Sequence, residues 1–211
     1  MSKILAQIGN SVVYPNTAAA ATLAHPAGAP LVVIACAGTG SAFASYTYDG
    51  NAVNNLGGGA SGDKWVRIGW YADTTPGNKS VVASAAAGSS MSVYAWSLGF
   101  VYGAGAVSFE VVAAATGNDN APTVDATSLN GELVFNAVAH TGATASWTVG
   151  AGQTKDGCYV ADTGKYVGGY SYESAVGTPT TMSWALDTVG VWSAVAIAVK
   201  RGGGGSQVIW L

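Results

Sequence analysis

Lys64-Trp65-Val66-Arg67-Ile68-Gly69-Trp70-Tyr71 decides the fold class, because it sets Val66, Ile68 and Trp70 on one side and Trp65, Arg67 and Tyr71 on the other. A repeat of two matches an extended strand, whose successive side chains point to opposite faces, and not the 3.6-residue repeat of a helix. The rhythm returns along the chain. Tyr94, Trp96, Leu98 and Phe100 share a face. Met182, Trp184 and Leu186 alternate with Thr181, Ser183 and Asp187. Val195, Ile197 and Val199 close the pattern. No window has helical apolar spacing.

Turn residues punctuate these runs. Tyr46-Thr-Tyr-Asp-Gly-Asn-Ala-Val53 predicts a hairpin in which Asp49 and Gly50 supply the two positive-φ positions of a type I′ turn. Further strands are expected near 11–14, 17–23, 31–37, 79–86, 106–114, 123–127, 132–139, 144–149, 153–161 and 166–173. About twelve to fifteen short strands between turn signals read as an all-β, two-sheet antiparallel β-sandwich of jelly-roll type. No internal repeat is evident. The expected organisation is one sandwich over 1–201, a Gly/Ser linker over 202–206 and an apolar arm over 207–211.

Composition narrows the function classes. Charged residues make up 9% of the chain, against about 25% in an average soluble domain. The longest apolar run, Pro30 to Ala37, is far short of the roughly 20 residues of a spanning helix. Eight scattered Lys and Arg residues and a net charge of −3 give no basic stripe for a phosphate backbone. Neither nucleic acid nor membrane is an expected partner. The opening Met1-Ser-Lys-Ile-Leu-Ala-Gln-Ile-Gly9 lacks the apolar core of a secretory signal. Cys36 reads as a buried small hydrophobe. A Cys36–Cys158 disulfide is the alternative, disfavoured in reducing cytoplasm.

Catalytic chemistry finds no motif: no nucleophile elbow, zinc helix or phosphate loop surrounds His25 or His140. The three glutamates include Glu110 and Glu132, both read as solvent-facing. No enzyme activity, cofactor or metal is expected. The loop Thr116-Gly-Asn-Asp-Asn-Ala-Pro122 offers Asn118, Asp119 and Asn120 as oxygens for a sugar or calcium, or simply as turn formers. The same alternation that places Trp70, Trp96 and Trp184 inside leaves Trp65, Trp192, Tyr71, Tyr166, Tyr170 and Tyr172 as candidates for an outer, interacting face. Val208, Ile209, Trp210 and Leu211, at the end of a Gly-rich tether, read as a native arm that adds a strand to a neighbour's open edge, or as an appended engineered peptide.

The order of these textures is informative: Tyr46-Thr-Tyr-Asp-Gly-Asn-Ala-Val, Trp65-Val-Arg-Ile-Gly-Trp-Tyr, Ser80-Val-Val-Ala-Ser, Ala95-Trp-Ser-Leu, then Gly152-Gln-Thr, Ser171-Tyr-Glu, Met182-Ser-Trp and the closing Ala194-Val-Ala-Ile-Ala-Val. It resembles a loose family of jelly-roll domains in phage virion proteins, including head decoration and tail-associated proteins, over roughly residues 3–200. The resemblance implies a structural virion protein, made in the bacterial host cytoplasm, that works as a homo-oligomer and through contacts with other virion proteins. It carries no catalytic residue over. Two other readings are a lectin-like module that binds surface glycans and an engineered display or filament-forming chain.

Overall fold

The computed structural model describes residues 2–40, 43–100, 107–141, 146–160, 167–200 and 208–209. Among them it is all-β and antiparallel. In the first half of the chain lie β1 (Ser2–His25), β2 (Leu31–Thr39), β3 (Phe43–Tyr48), β4 (Asn51–Ala52), β5 (Asn54–Ser61), β6 (Lys64–Ala72) and β7 (Gly77–Phe100). The second half contributes β8 (Val107–Phe109), β9 (Ala113–Asp119), β10 (Thr123–Ala126), β11 (Leu133–His140), β12 (Trp147–Val149), β13 (Thr154–Val160), β14 (Val167–Ser174), β15 (Thr180–Leu186) and β16 (Gly190–Lys200). Two residues of the arm form β17 (Val208–Ile209). The hairpin between β3 and β4 turns through Asp49 at φ 51° and Gly50 at φ 79°, as the sequence predicts.

Strands β1 and β7 run antiparallel along their whole lengths, from Ser2 opposite Phe100 to His25 opposite Gly77. Ile8 and Ala20 of β1 would stand about 40 Å apart in a straight strand. They nevertheless line one cavity together, with Gly9, Ala21, Thr22 and Ser80. The ribbon therefore folds back on itself, and register shifts between Val12 and Ala18 mark the bend. The Ser90–Leu98 part of β7 pairs with β2, and its Val81–Ala85 part pairs with β3. One wall of the N-terminal half thus runs β1-β7-β2-β6-β5, and the folded-back wall runs β1-β7-β3-β4.

The C-terminal half repeats this plan. Its first wall runs β9-β16-β11-β14-β13 and its second β10-β15-β12. The long ribbon is broken in two, at 120–122 and at 187–189. Registers correspond: Leu31 faces Leu98 and Ala72, while Leu133 faces Val199 and Ser174. Even the bulges match, at Asn55/Gly57 in β5 and Lys155/Gly157 in β13. The repeat is written once clearly in the residues. Leu31-Val-Val-Ile-Ala-Cys-Ala-Gly-Thr-Gly40 and Leu133-Val-Phe-Asn-Ala-Val-Ala-His-Thr-Gly142 share Leu, Val, both Ala, Thr and Gly. Within 1–201 one pairing plan thus occurs twice, a repeat not evident from the residues alone.

Three cores follow. The central core joins the halves: Leu31, Val33, Ala35, Tyr94, Trp96 and Leu98 face Leu133, Phe135, Ala137, Tyr170, Val195 and Ile197. A second lies inside the N-terminal half, where Val32, Ile34, Cys36, Trp65 and Val93 meet Ala19, Leu23, Tyr48 and Val81. A third lies inside the C-terminal half, where Val134, Val138, Ala194 and Ala196 meet Val124, Met182, Trp184 and Leu186. The two central walls are covered on both faces, so β2 and β11 are buried at every residue. Packing across the centre is reciprocal: β5 lies against β9 and β13 against β1.

This layering explains which aromatic expectations fail. The alternation in β6 holds, but its second face is roofed by the folded-back ribbon. Trp65 is 4% exposed, over Gly38 and 5.4 Å from Phe43. Tyr170 is fully buried in the central core, and Trp192 is buried in the third. None of the three faces solvent. The glutamates are corrected as well. Glu132 is buried at 8% exposure, its carboxylate accepting the Leu129 N–H, and Glu110 pairs with Lys200.

Candidate functional site

The features that reach outward are strand edges. Among the described residues the one strand paired with β1 is β7, so no strand lies on the opposite edge of β1. Such an edge is a template for another strand unless charge, proline or a cover blunts it. Lys3 is the one Lys, Arg, Asp or Glu in β1, and Pro15 the one proline. Leu5 is exposed beside the Ile4/Ala6 irregularity. The equivalent edge of the C-terminal half is treated differently: Val208 of β17 pairs with Ser108 of β8, and Ile209 with Val107. Here the described part of the arm pairs on the chain's own sheet and not on a neighbour's edge. Trp210, Leu211 and Tyr166 lie outside the described residues.

The Asn118, Asp119 and Asn120 group is exposed at the end of β9. Asp119 and Asn120 are engaged in bonds to the protein. Asp119 Oδ1 accepts from the Ala121 N–H at 2.8 Å and from Trp192 Nε1 at 2.9 Å, and Asn120 Nδ2 donates to the Leu186 carbonyl at 3.2 Å. These bonds close the turn that replaces the continuous bend of β1. Tyr71 and Tyr172 are half-buried, against Tyr48 at 5.1 Å and Phe135 at 6.3 Å. Among the Trp and Tyr side chains that the structure describes, Trp70, Tyr71, Tyr159 and Tyr172 are half-buried and the others buried. Among the described residues no three His, Cys, Asp or Glu side chains gather as metal ligands, and no helix is long and apolar enough to cross a membrane. Both cysteines are free thiols, Cys36 buried and Cys158 half-buried.

The ionisable groups with unusual surroundings were not singled out by the sequence. Asp156 sits at the β13 bulge and reaches into the central core. Its Oδ2 accepts from Trp96 Nε1 at 2.6 Å, the Tyr94 hydroxyl donates to its carbonyl at 3.4 Å, and its Oδ1 is buried without a partner among the described residues. Burial pushes its carboxyl up to about 6, against the opposing pull of hydrogen bonds from Trp96 and Gln7. In the sequence it is an aspartate before Gly157, the pattern of an ordinary turn. His140 is fully enclosed beside Trp147, both ring nitrogens lack a partner among the described residues, and burial holds it below the ordinary histidine range. His25 is a structural latch: its ring meets Ser97 Oγ at 2.9 Å and the Asp73 carbonyl at 3.2 Å.

No family model, curated protein or solved structure matches this chain.

Proposed function

We propose that the chain is a structural protein of a bacteriophage-type particle, decorating a capsid or forming a fibre or tail structure, and that it works by self-association and not by catalysis. One observation carries this reading: β1, a 24-residue strand with a single charged residue, has no second strand on its outer edge among the described residues. A protein that must stay single guards such an edge. The low charge of the chain, 9% of its residues, weakens the repulsion that keeps copies apart. The strand order supports the jelly-roll resemblance. In the N-terminal half the orders β1-β7-β2-β6 and β1-β7-β3-β4 resemble the two four-stranded sheets of that topology, with β5 added to the first, and the C-terminal half follows the same order with a three-stranded second wall, β10-β15-β12. We accordingly assign two jelly rolls back to back. The virion setting rests on the resemblance of strand and hairpin textures. Static light scattering of the full chain over a concentration series tests the self-association. The expected result is a mass several times that of one chain; a single-chain mass throughout the soluble range would overturn the reading.

A further inference from the structure

The repeated architecture has one arm and two equivalent edges to receive it. β8 lies on β16 as the start of β1 lies on β7: Phe109 pairs with Val199 where Ile4 pairs with Leu98. The arm strand β17 occupies the outer side of β8, and among the described residues nothing occupies the outer side of β1. We propose that the outer edge of β1, from Ser2 to Gly9, receives the Val208–Ile209 arm of a second copy as an added antiparallel strand. This rests on the self-association reading and names its surface.

Two further observations favour a second copy's arm as the occupant. The chain's own arm cannot sit on β8 and β1 at once. The tether Gly202-Gly-Gly-Gly-Ser206 has the composition of a flexible linker, one that lets the arm leave its own sheet. An arm given to a neighbour's β1 joins the C-terminal half of one copy to the N-terminal half of the next. That contact is head-to-tail, so assembly closes as a ring or grows as a row.

The test titrates isotope-labelled full chain with the synthetic peptide Gly-Ser-Gln-Val-Ile-Trp-Leu, the sequence of residues 205–211, and follows backbone amides by nuclear magnetic resonance. Shifts and slowed exchange at Ser2–Gly9 are expected. Changes confined to Val107–Phe109, or none, would overturn the proposal. Light scattering of the chain lacking 202–211 separates this proposal from the reading beneath it. The expected mass is that of one copy. An unchanged oligomer would refute arm docking and leave self-association standing, and a full chain already single in solution would refute both.

Discussion

The N- and C-terminal halves share one pairing plan and differ in what they bury. At the position where the N-terminal half places Ile34, the C-terminal half places Asn136; Gly38 corresponds to His140, and Leu56 to Asp156. In the first interior Trp65 lies over Gly38, where any side chain would collide with its indole. The second carries a polar network. Asn136 Nδ2 donates to the Val195 carbonyl at 2.9 Å, and its Oδ1 accepts from Trp184 Nε1 at 2.6 Å. Gln153 joins through Ser171 at 3.0 Å and also accepts from the Ser183 N–H at 2.8 Å. The plan is thus set by the two-residue rhythm and the backbone ladder. A buried polar group is accepted where its bonds are made, because leaving one unmade costs about 1–3 kcal/mol.

The largest expected effect tests whether the halves are one body. Trp96 fills the shared core against Phe135 and Tyr170, so Trp96→Ala should cost about 3–5 kcal/mol. Urea unfolding followed by circular dichroism should show one transition moving for the whole molecule. Two separate transitions would mean that the halves stand independently. Next comes the contrast between the private cores. Asn136→Ala should cost about 2–3 kcal/mol, since it strands the Trp184 indole N–H. Ile34→Val should cost about 1 kcal/mol. Equal costs in the same urea experiment would deny the network its weight.

Asp156 sharpens the comparison through pH. Its folded carboxyl is raised to about 6 from 3.8, so the stability it contributes is full below pH 3.8 and is lost as pH rises through about 6. Asp156→Asn should remove that component, worth about 1 kcal/mol after allowance for its partial exposure. The check is the difference in melting temperature between the two proteins at pH 4 and pH 7. His140 acts in the opposite sense: its folded value lies below the ordinary 6.5, so its contribution is present above pH 6.5 and lost on acidification. Asp119→Ala should cost about 1 kcal/mol through the bonds to Ala121 and Trp192. The smallest effect belongs to Val176, 89% exposed. Val176→Ser should change stability by less than about 0.5 kcal/mol.

Much of the fold was legible in the residues. Alternation in Lys64–Tyr71 placed Val66, Ile68 and Trp70 on the side that meets the other half, and Asp49-Gly50 gave its turn. The second burial of Trp65 was not legible, because periodicity reports two faces but not what covers each. The repeat was faint because only Leu31–Gly40 and Leu133–Gly142 keep their identities, while bulge and register are backbone properties that many side chains satisfy. Asp156 escaped notice for a related reason: an aspartate before glycine looks like a turn, and only the β13 bulge turns it into the core.

The central claim is that copies meet along the open edge of β1. Hydrogen exchange of the full chain, read at increasing protein concentration, measures this directly. The account predicts that the amides of Ser2–Gly9 gain protection as concentration rises, while those of β2 and β11 do not change. Exchange along β1 that is the same at every concentration would contradict it.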